Sequence, residues 1–572
     1  MKEREKQEIE KRERILKKKE TRHAWWESAI AYQIYPRSFQ DSNGDGIGDL
    51  RGIINRLPYL ESLGIDLIWI CPIYPSPNDD NGYDISDYQG IQEEYGTMQD
   101  FEELLEKAHE KKIRVIMDLV INHTSSSHPW FLEARSSKES EKRDWYIWRE
   151  GGEEGAPNNW ESIFGGSAWE LDQETDQYYL HVFGKTMPDL NWENQQLKKV
   201  LYEMIRWWIE KGIDGFRLDA ISHIHKPDLS NMPNPKGKKY VSSFDKHMNQ
   251  EGILNYLQEL QKETFDQYDI FTIAEANGVR IDEVQEWISR DQGVFHSLFQ
   301  FEHLNLWNRD TSTERIPLKK IKKALSKWQE ATRESGMIGL VMENHDLVRS
   351  VSKYGDCGTY WKESAKCLAL MLFMQKGIPF LYQGQEIGML NADFASVEEF
   401  RDEPPIASYQ KRIKKGMSEG KSLSILKSTT RDNCRTPMQW DTSDNAGFST
   451  GNPWIGVNGN YTWLNVEKQE QDADSILHFY RKMIQLRKEK QALCYGTYQL
   501  YFENSETIYA YERAYQGERY FILCNLSRDK ELVKLPFDHN NAVILLSNYL
   551  EKATEELRPY ECRCYDLGSG RV

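Results

Sequence analysis

Residues 195–221 read QQLKKVLYEMIRWWIEKGIDGFRLDAI. Leu197, Leu201, Met204, Ile205 and Trp208 recur at helical spacing over 195–213, which predicts an amphipathic helix. The period then changes, and 215–221 is a short apolar run of strand length that ends in Arg217 and Asp219. A helix that runs straight into a strand is the repeating unit of a parallel α/β fold.

The same alternation extends in both directions. Strand-length runs occur at 29–35, 66–73, 114–120, 270–276, 336–342 and 377–382. Helical patterns lie between them. In 97–113, Thr97 and Asp100 form a capping-box pattern, and Phe101, Leu104, Leu105 and Ala108 share one face. Alternation sustained this long predicts an α/β fold, a (β/α)8 TIM barrel. Two stretches break the rhythm. Residues 123–192, rich in Gly, Ser, Trp, Asn and acids, read as an inserted domain after the third strand. Residues of about 390–470 read as an irregular segment after the eighth. Barrel is therefore expected over 23–122 and 193–493. Past 493 the helical signal stops, and alternating runs such as 507–513, 519–526 and 542–546 predict a C-terminal antiparallel β-sandwich domain over 494–572. Residues 1–22 hold ten basic and six acidic side chains and read as a charged N-terminal extension, helical or tail-like.

Composition narrows the function. The chain has 572 residues, 39% hydrophobic and 28% charged, with a formal net charge of −17. That balance suits a globular protein and argues against nucleic acid or an anionic membrane as partner. No apolar stretch is long enough for a membrane span, and no secretory signal is visible near Met1. The eight cysteines are scattered through the chain, as expected of reduced cytoplasmic thiols, and no zinc spacing occurs. Oligomeric state is not legible.

In a parallel barrel the chemistry sits at the C-terminal strand ends. The third run ends in Asp118, Asn122 and His123, the fourth in Arg217 and Asp219, and the fifth in Glu275. The seventh ends in Asn344, His345 and Asp346, the eighth in Gln383 and Glu386. Any one of these alone reads as a cap or surface charge. Converging on one rim, they make a carboxylate-dense site with Arg and His and no Ser or Cys nucleophile motif. Glycoside hydrolysis needs such a set: one carboxylate as nucleophile or base, and one carboxyl kept protonated by nearby anions.

The stretches GFRLDAISH, IAEANGV, ENHDLVR and DLVINHTS resemble, in order, four sequence blocks of the α-amylase superfamily, glycoside hydrolase family 13. AYQIYPRSFQDSNGDGIGDLRGI, DDNGYDISDY, PDLNWEN, FQFEHLNLW and RDNCRTPMQW are similar to its oligo-1,6-glucosidase and α-glucosidase branch. The resemblance implies a retaining, exo-acting α-glucosidase for short oligosaccharides of the maltose or isomaltose type. It implies Asp219 as nucleophile forming a β-glucosyl enzyme, Glu275 as acid/base, and Asp346 as the third carboxylate. Arg217 would orient Asp219, and His123 and His345 would bind the non-reducing glucose. Asp80, Tyr83 and Arg431 would close the pocket behind it. Ala220, directly after Asp219, would set linkage: Val there goes with α-1,6 cleavage and smaller residues with α-1,4, which predicts a preference for maltose.

Ala274, Met187, Leu347 and Gln385 depart from the family pattern, and all are expected near the aglycone. Rival activities on this scaffold are oligo-1,6-glucosidase or dextran glucosidase, sucrose isomerase and trehalose-6-phosphate hydrolase. The segment LNLWNRDTSTERI does not match the isomerases' Arg/Asp run, and no Lys/Arg cluster is assigned near the aglycone. A transporter heavy-chain role would need a membrane span and is disfavoured. The loop DSNGDGIGD at 41–49 has oxygen ligands at alternate positions and Gly permitting a tight path, yet Gly52 stands where an EF-hand has Glu. The resemblance implies a structural Ca²⁺ there, held by Asp41, Asn43, Asp45, Asp49 and the Ile47 carbonyl.

Overall fold

The computed structural model describes residues 23–152, 155–304, 315–538, 542–550 and 554–568. The N-terminal extension and most of the LNLWNRDTSTERI segment lie outside the described residues. The barrel closes from eight parallel strands, each hydrogen-bonded to its neighbours in chain order. They are β1 (Ala31–Ile34), β2 (Leu67–Ile70), β3 (Arg114–Val120), β4 (Gly215–Asp219), β5 (Phe271–Glu275), β6 (Ser297–Phe299), β7 (Met337–Leu340) and β8 (Ile378–Tyr382). Seven were legible as apolar runs. β6 was not, because its three residues are too few to display a period.

The helix before β4 spans Gln195–Glu210, capped by the Asn194 side chain on the Gln196 and Leu197 amides, and buries Leu197, Leu201, Met204, Ile205 and Trp208 as its spacing requires. The Thr97/Asp100 capping box forms in both directions. β4 opens on Gly215 with φ +144°; a Cβ there would lie 1.8 Å from the Phe271 carbonyl oxygen, so only glycine lets β4 and β5 approach.

Side chains i and i+2 share a strand face, so register decides what meets inside the barrel. Asp118 pairs with Arg217, and Arg217 with Ile273. Asp118, Arg217, Asp219 and Glu275 therefore all point inward. Below them the interior is filled by Trp69, Phe299 and Phe380, with Trp69–Phe299 ring centroids 5.5 Å apart and Phe299–Phe380 4.8 Å. Gly339 on β7 makes room: a Cβ there would stand 2.6 Å from the Phe299 ring.

The insertion after β3 forms a three-stranded antiparallel sheet from Trp148–Arg149, Trp169–Asp172 and Gln177–Leu180. It does not stand alone. Trp160–Glu161 pairs in parallel with Val241–Ser242, from the excursion after β4, and the Trp160 indole donates to the Ser230 carbonyl at 2.9 Å. The C-terminal part forms a five-stranded antiparallel sheet and a two-stranded one. Ile508, Phe521, Leu523 and Tyr565 pack with Val533 and Leu557, in the C-terminal antiparallel β domain that the alternation predicted. Tyr511 on the large sheet donates to the Met371 carbonyl at 3.0 Å, tying it to the helix Trp361–Phe373 that precedes β8. No described helix is long and apolar enough to cross a membrane.

Candidate active site

A cavity of about 470 Å³ opens at the C-terminal strand ends. Asp219, Glu275 and Asp346 all line it, with Asp80, Tyr83, His123, Ala220 and Arg431. Arg217 sits one layer lower and organises the carboxylates. Its Nη1 donates to Asp118 Oδ1 at 2.5 Å and to Asp219 Oδ1 at 2.6 Å, and its Nη2 to Glu275 Oε2. The face of Trp69 lies 5.0 Å from the guanidinium, and the Trp69 indole donates to Asp118 Oδ2 at 2.8 Å. Asp118 thus anchors Arg217, and Arg217 presents Asp219 and Glu275 from adjacent nitrogens.

Burial sets the electrostatics. It pushes the Glu275 carboxyl up to about 7; Arg217 opposes that, and the anionic Asp219 and Asp346 reinforce it. Asp219 is pushed up to about 6 by burial, opposed by Arg217 and reinforced by Asp118 and Asp346. The two carboxyls are held near one guanidinium with separated proton affinities, Glu275 keeping its proton to higher pH. An acid and an anionic nucleophile need that difference.

A second cation, Arg431, gathers carboxylates on the cavity wall. Arg431 contacts Asp346 Oδ1 at 3.1 Å and Asp80 Oδ1 at 3.3 Å, and it forks onto Asp402 through Nε–Oδ2 at 2.9 Å and Nη2–Oδ1 at 2.6 Å. Arg435 also donates to Asp346 Oδ1, at 3.1 Å. Tyr83 donates to Asp118 Oδ2 at 3.2 Å and stacks on His345 with centroids 5.1 Å apart. His345 Nδ1 faces the Gln33 amide at 2.7 Å, so Nε2 carries the hydrogen and points toward Asp346. Burial pushes both His345 and His123 down to about 3, leaving neutral rings beside the carboxylates. His123 Nε2 has no hydrogen-bond partner among the described residues and is free to meet a ligand.

All ten residues expected to bind substrate or react converge here, with Arg217 and His345 just behind the wall. Residues that the sequence did not single out complete it: Asp402, Phe164, Phe183, Asn277, Ser243, Phe244, His247, Lys411 and Arg412. They come from the insertion, the excursion after β4, the loop after β5, and the helix Glu403–Lys414 after β8 with its N-cap Asp402. Strand-end reasoning finds the floor of a barrel site but not its roof. One expectation needs correction. Of the four departures from the family pattern, only Met187 lines the cavity; Ala274 is buried within β5, Gln385 accepts from the Tyr382 amide at 3.2 Å, and Leu347 packs against the core.

In the 41–49 loop, Asp41 accepts from the Asn43, Gly44 and Gly46 amides at 2.9, 2.7 and 2.8 Å, and Asp49 from the Ser42 and Gly52 amides at 2.8 and 2.7 Å. Among the described residues no three His, Cys, Asp or Glu side chains converge as a metal cluster. The donor set still suits a hard cation, since its oxygens come from three Asp, Asn43 and a carbonyl. Asn43 and Asp45 are exposed and can turn.

A closed (β/α)8 barrel with paired carboxyls at its strand ends defines a barrel glycoside hydrolase. Residues 33–496 match the family model described as alpha amylase, catalytic domain. The chain is 50% identical over 551 residues, 95% of its length and 99% of the relative's, to a probable oligo-1,6-glucosidase 3 of Bacillus subtilis (strain 168). It is 46% identical to an oligo-1,6-glucosidase of Parageobacillus thermoglucosidasius, over 95% of this chain and 99% of that one. A solved trehalose-6-phosphate hydrolase of Bacillus licheniformis, a mutant in complex with a ligand, superposes with TM-score 0.90 at 42% identity, over 95% of this chain and 100% of that one. The chain belongs to the α-amylase family and is a glycoside hydrolase.

Proposed function

We propose that the protein is a retaining, exo-acting α-glucosidase that removes terminal glucose from short oligosaccharides. The observation that carries this is the pair Asp219 and Glu275 on one guanidinium, in a cavity whose wall also carries Asp80, Tyr83 and Arg431. The exo-acting reading takes those three as the residues that close the pocket behind a terminal glucose. Asp219 attacks the anomeric carbon while Glu275 protonates the leaving oxygen, giving a β-glucosyl ester. Glu275, now a base, takes a proton from water, which displaces Asp219 and restores the α-configuration. Asp346 and the neutral His123 and His345 hold the glucose hydroxyls. Arg217 keeps Asp219 anionic against burial.

Two linkage readings have support. The small Ala220 beside the nucleophile favours α-1,4 bonds; the names of the relatives at 50% and 46% identity favour α-1,6. Kinetics on maltose, isomaltose, sucrose, trehalose 6-phosphate and a nitrophenyl α-glucoside separate these from the isomerase and phosphate alternatives. A variant Asp219→Gly with azide should convert an activated α-glucoside into a β-glucosyl azide. An α-product, or full activity in Asp219→Asn, overturns the assignment of the nucleophile. The donor set of the 41–49 loop supports a structural Ca²⁺ at Asp41, Asn43, Asp45, Asp49 and the Ile47 carbonyl, adding stability and no chemistry. Scattered cysteine usage supports a cytoplasmic location.

A further inference from the structure

On the α-glucosidase reading, Asp80, Tyr83 and Arg431 lie behind the glucose being removed, and the other end of the cavity takes the leaving group. The cavity wall also carries Ala220 and Asn277, close in sequence after the nucleophile and the acid/base, with Ser243, Phe244 and His247, which that reading places at the leaving end. These last three come from the excursion after β4, where Val241–Ser242 pairs with the insertion and a short turn of helix, Phe244–His247, follows. His247 is almost wholly buried, and it stands among rings: His223 at 5.0 Å, Phe244 at 5.5 Å and Trp160 at 5.9 Å between centroids. Its Nδ1 is turned back onto Nδ1 of His223 at 2.9 Å. His223 lies four residues beyond Asp219, fully buried, and its segment is tied to the excursion by the Asn249 amide on the Ser222 carbonyl at 2.8 Å.

We infer that His247, held by His223, is the hydrogen-bonding group for the sugar on the leaving side of the scissile bond. The inference rests on the α-glucosidase reading above. With Nδ1 committed to His223, Nε2 is the polar atom of His247 left for a ligand, and His247 lines the leaving side. The Nδ1–Nδ1 contact needs one hydrogen between the rings, so His247 Nε2 is either a donor or an acceptor. A sugar hydroxyl serves both. Burial pushes both imidazoles far down, so the pair is neutral at working pH and suits a neutral sugar. His223 is a positioning residue that acts through His247. The fixed pair gives the leaving sugar one preferred orientation, as Arg431 and Asp346 do for the glucose being removed.

The test compares two leaving groups in the same enzyme. Maltose or isomaltose, whichever the wild type prefers, presents a hydroxylated sugar to this end of the cavity; nitrophenyl α-glucoside presents an aromatic ring without hydroxyls. In His247→Phe and His247→Gln the ratio of kcat/KM for disaccharide over aryl glucoside should fall by roughly tenfold or more, the worth of one buried polar contact to substrate. His223→Phe should lower the same ratio, and the double variant should do no worse than His247→Phe, because one residue works through the other. A ratio within twofold of wild type in both His247 variants overturns the inference. So does a parallel fall on both substrates, the outcome of a purely structural pair. A wild type that cleaves neither substrate overturns the α-glucosidase reading instead.

Discussion

Glu275 is where burial and charge compete most directly. Its carboxyl is pushed up to about 7 and that of Asp219 to about 6, and the two titrate as a pair. Catalysis needs one proton on the pair, so kcat/KM should follow a bell whose limbs fall near these values, and Glu275→Gln should erase the basic limb along with most activity. The same shift bears on stability. Glu275 binds its proton more tightly folded than unfolded, so its contribution is full at pH below about 4 and is lost as pH rises through about 7. Glu275→Gln should therefore melt higher than wild type at pH 8, with the gap closing toward pH 4. An equal gap at both pH values would place the effect elsewhere. Ala220, next to the nucleophile, sits in the left-handed region with φ +43°. Ala220→Val adds a stiff, branched side chain beside the scissile bond, and should move preference toward isomaltose by about 10–200-fold in kcat/KM. It should also cost about 1–2 kcal/mol of stability, because a β-branched residue resists that conformation. Thermal melts and paired disaccharide kinetics check both; an unchanged ratio would remove Ala220 as a linkage determinant.

Among the elements, strands and excursions divide the work. The strands fix the reacting groups through register: a one-residue slip of β4 would turn Asp219 away from the cavity. Their interior leaves little slack. Gly339→Ala sets a methyl against the Phe299 ring and should destabilise by about 1–3 kcal/mol, read as a lowered denaturation midpoint at unchanged m-value. The excursion after β8 contributes the roof. Asp402, forked onto Arg431, is fully buried and held anionic by that guanidinium. Asp402→Asn removes its charge and leaves Arg431 to Asp80 and Asp346. We expect kcat/KM for disaccharides to fall by at least about tenfold, mainly through KM, since breaking a buried charged pair costs several kcal/mol. A variant with wild-type KM would show that Asp80 and Asp346 hold Arg431 unaided.

At the scale of the whole molecule, the 41–49 loop packs on the 446–454 segment: Asp41 donates its amide to the Phe448 carbonyl at 3.0 Å, and Asp41 Oδ2 accepts from Ser449 Oγ at 2.6 Å. An ion bound there would pin the start of the barrel to its last excursion. Chelation should lower the thermal midpoint more than it lowers room-temperature activity, and Asp41→Ala should reproduce the loss and abolish its dependence on added Ca²⁺; a midpoint indifferent to both would leave the loop a polar turn. The sequence by itself determined the barrel, its insertion and its three carboxylates. Helix and strand periods are local properties, and strand-end residues follow from them once the strands are parallel. Seven strands, the cap at Thr97, and the residues at the strand ends were legible for that reason. β6 was too short to show a period. Asp402, Phe164, Asn277 and the His223–His247 pair were hidden because they reach the cavity from loops without a period, and their positions depend on contacts between segments far apart in the chain. Only the tertiary structure decided how Arg217 gathers Asp118, Asp219 and Glu275, because proton affinity depends on burial and on charges brought together by folding.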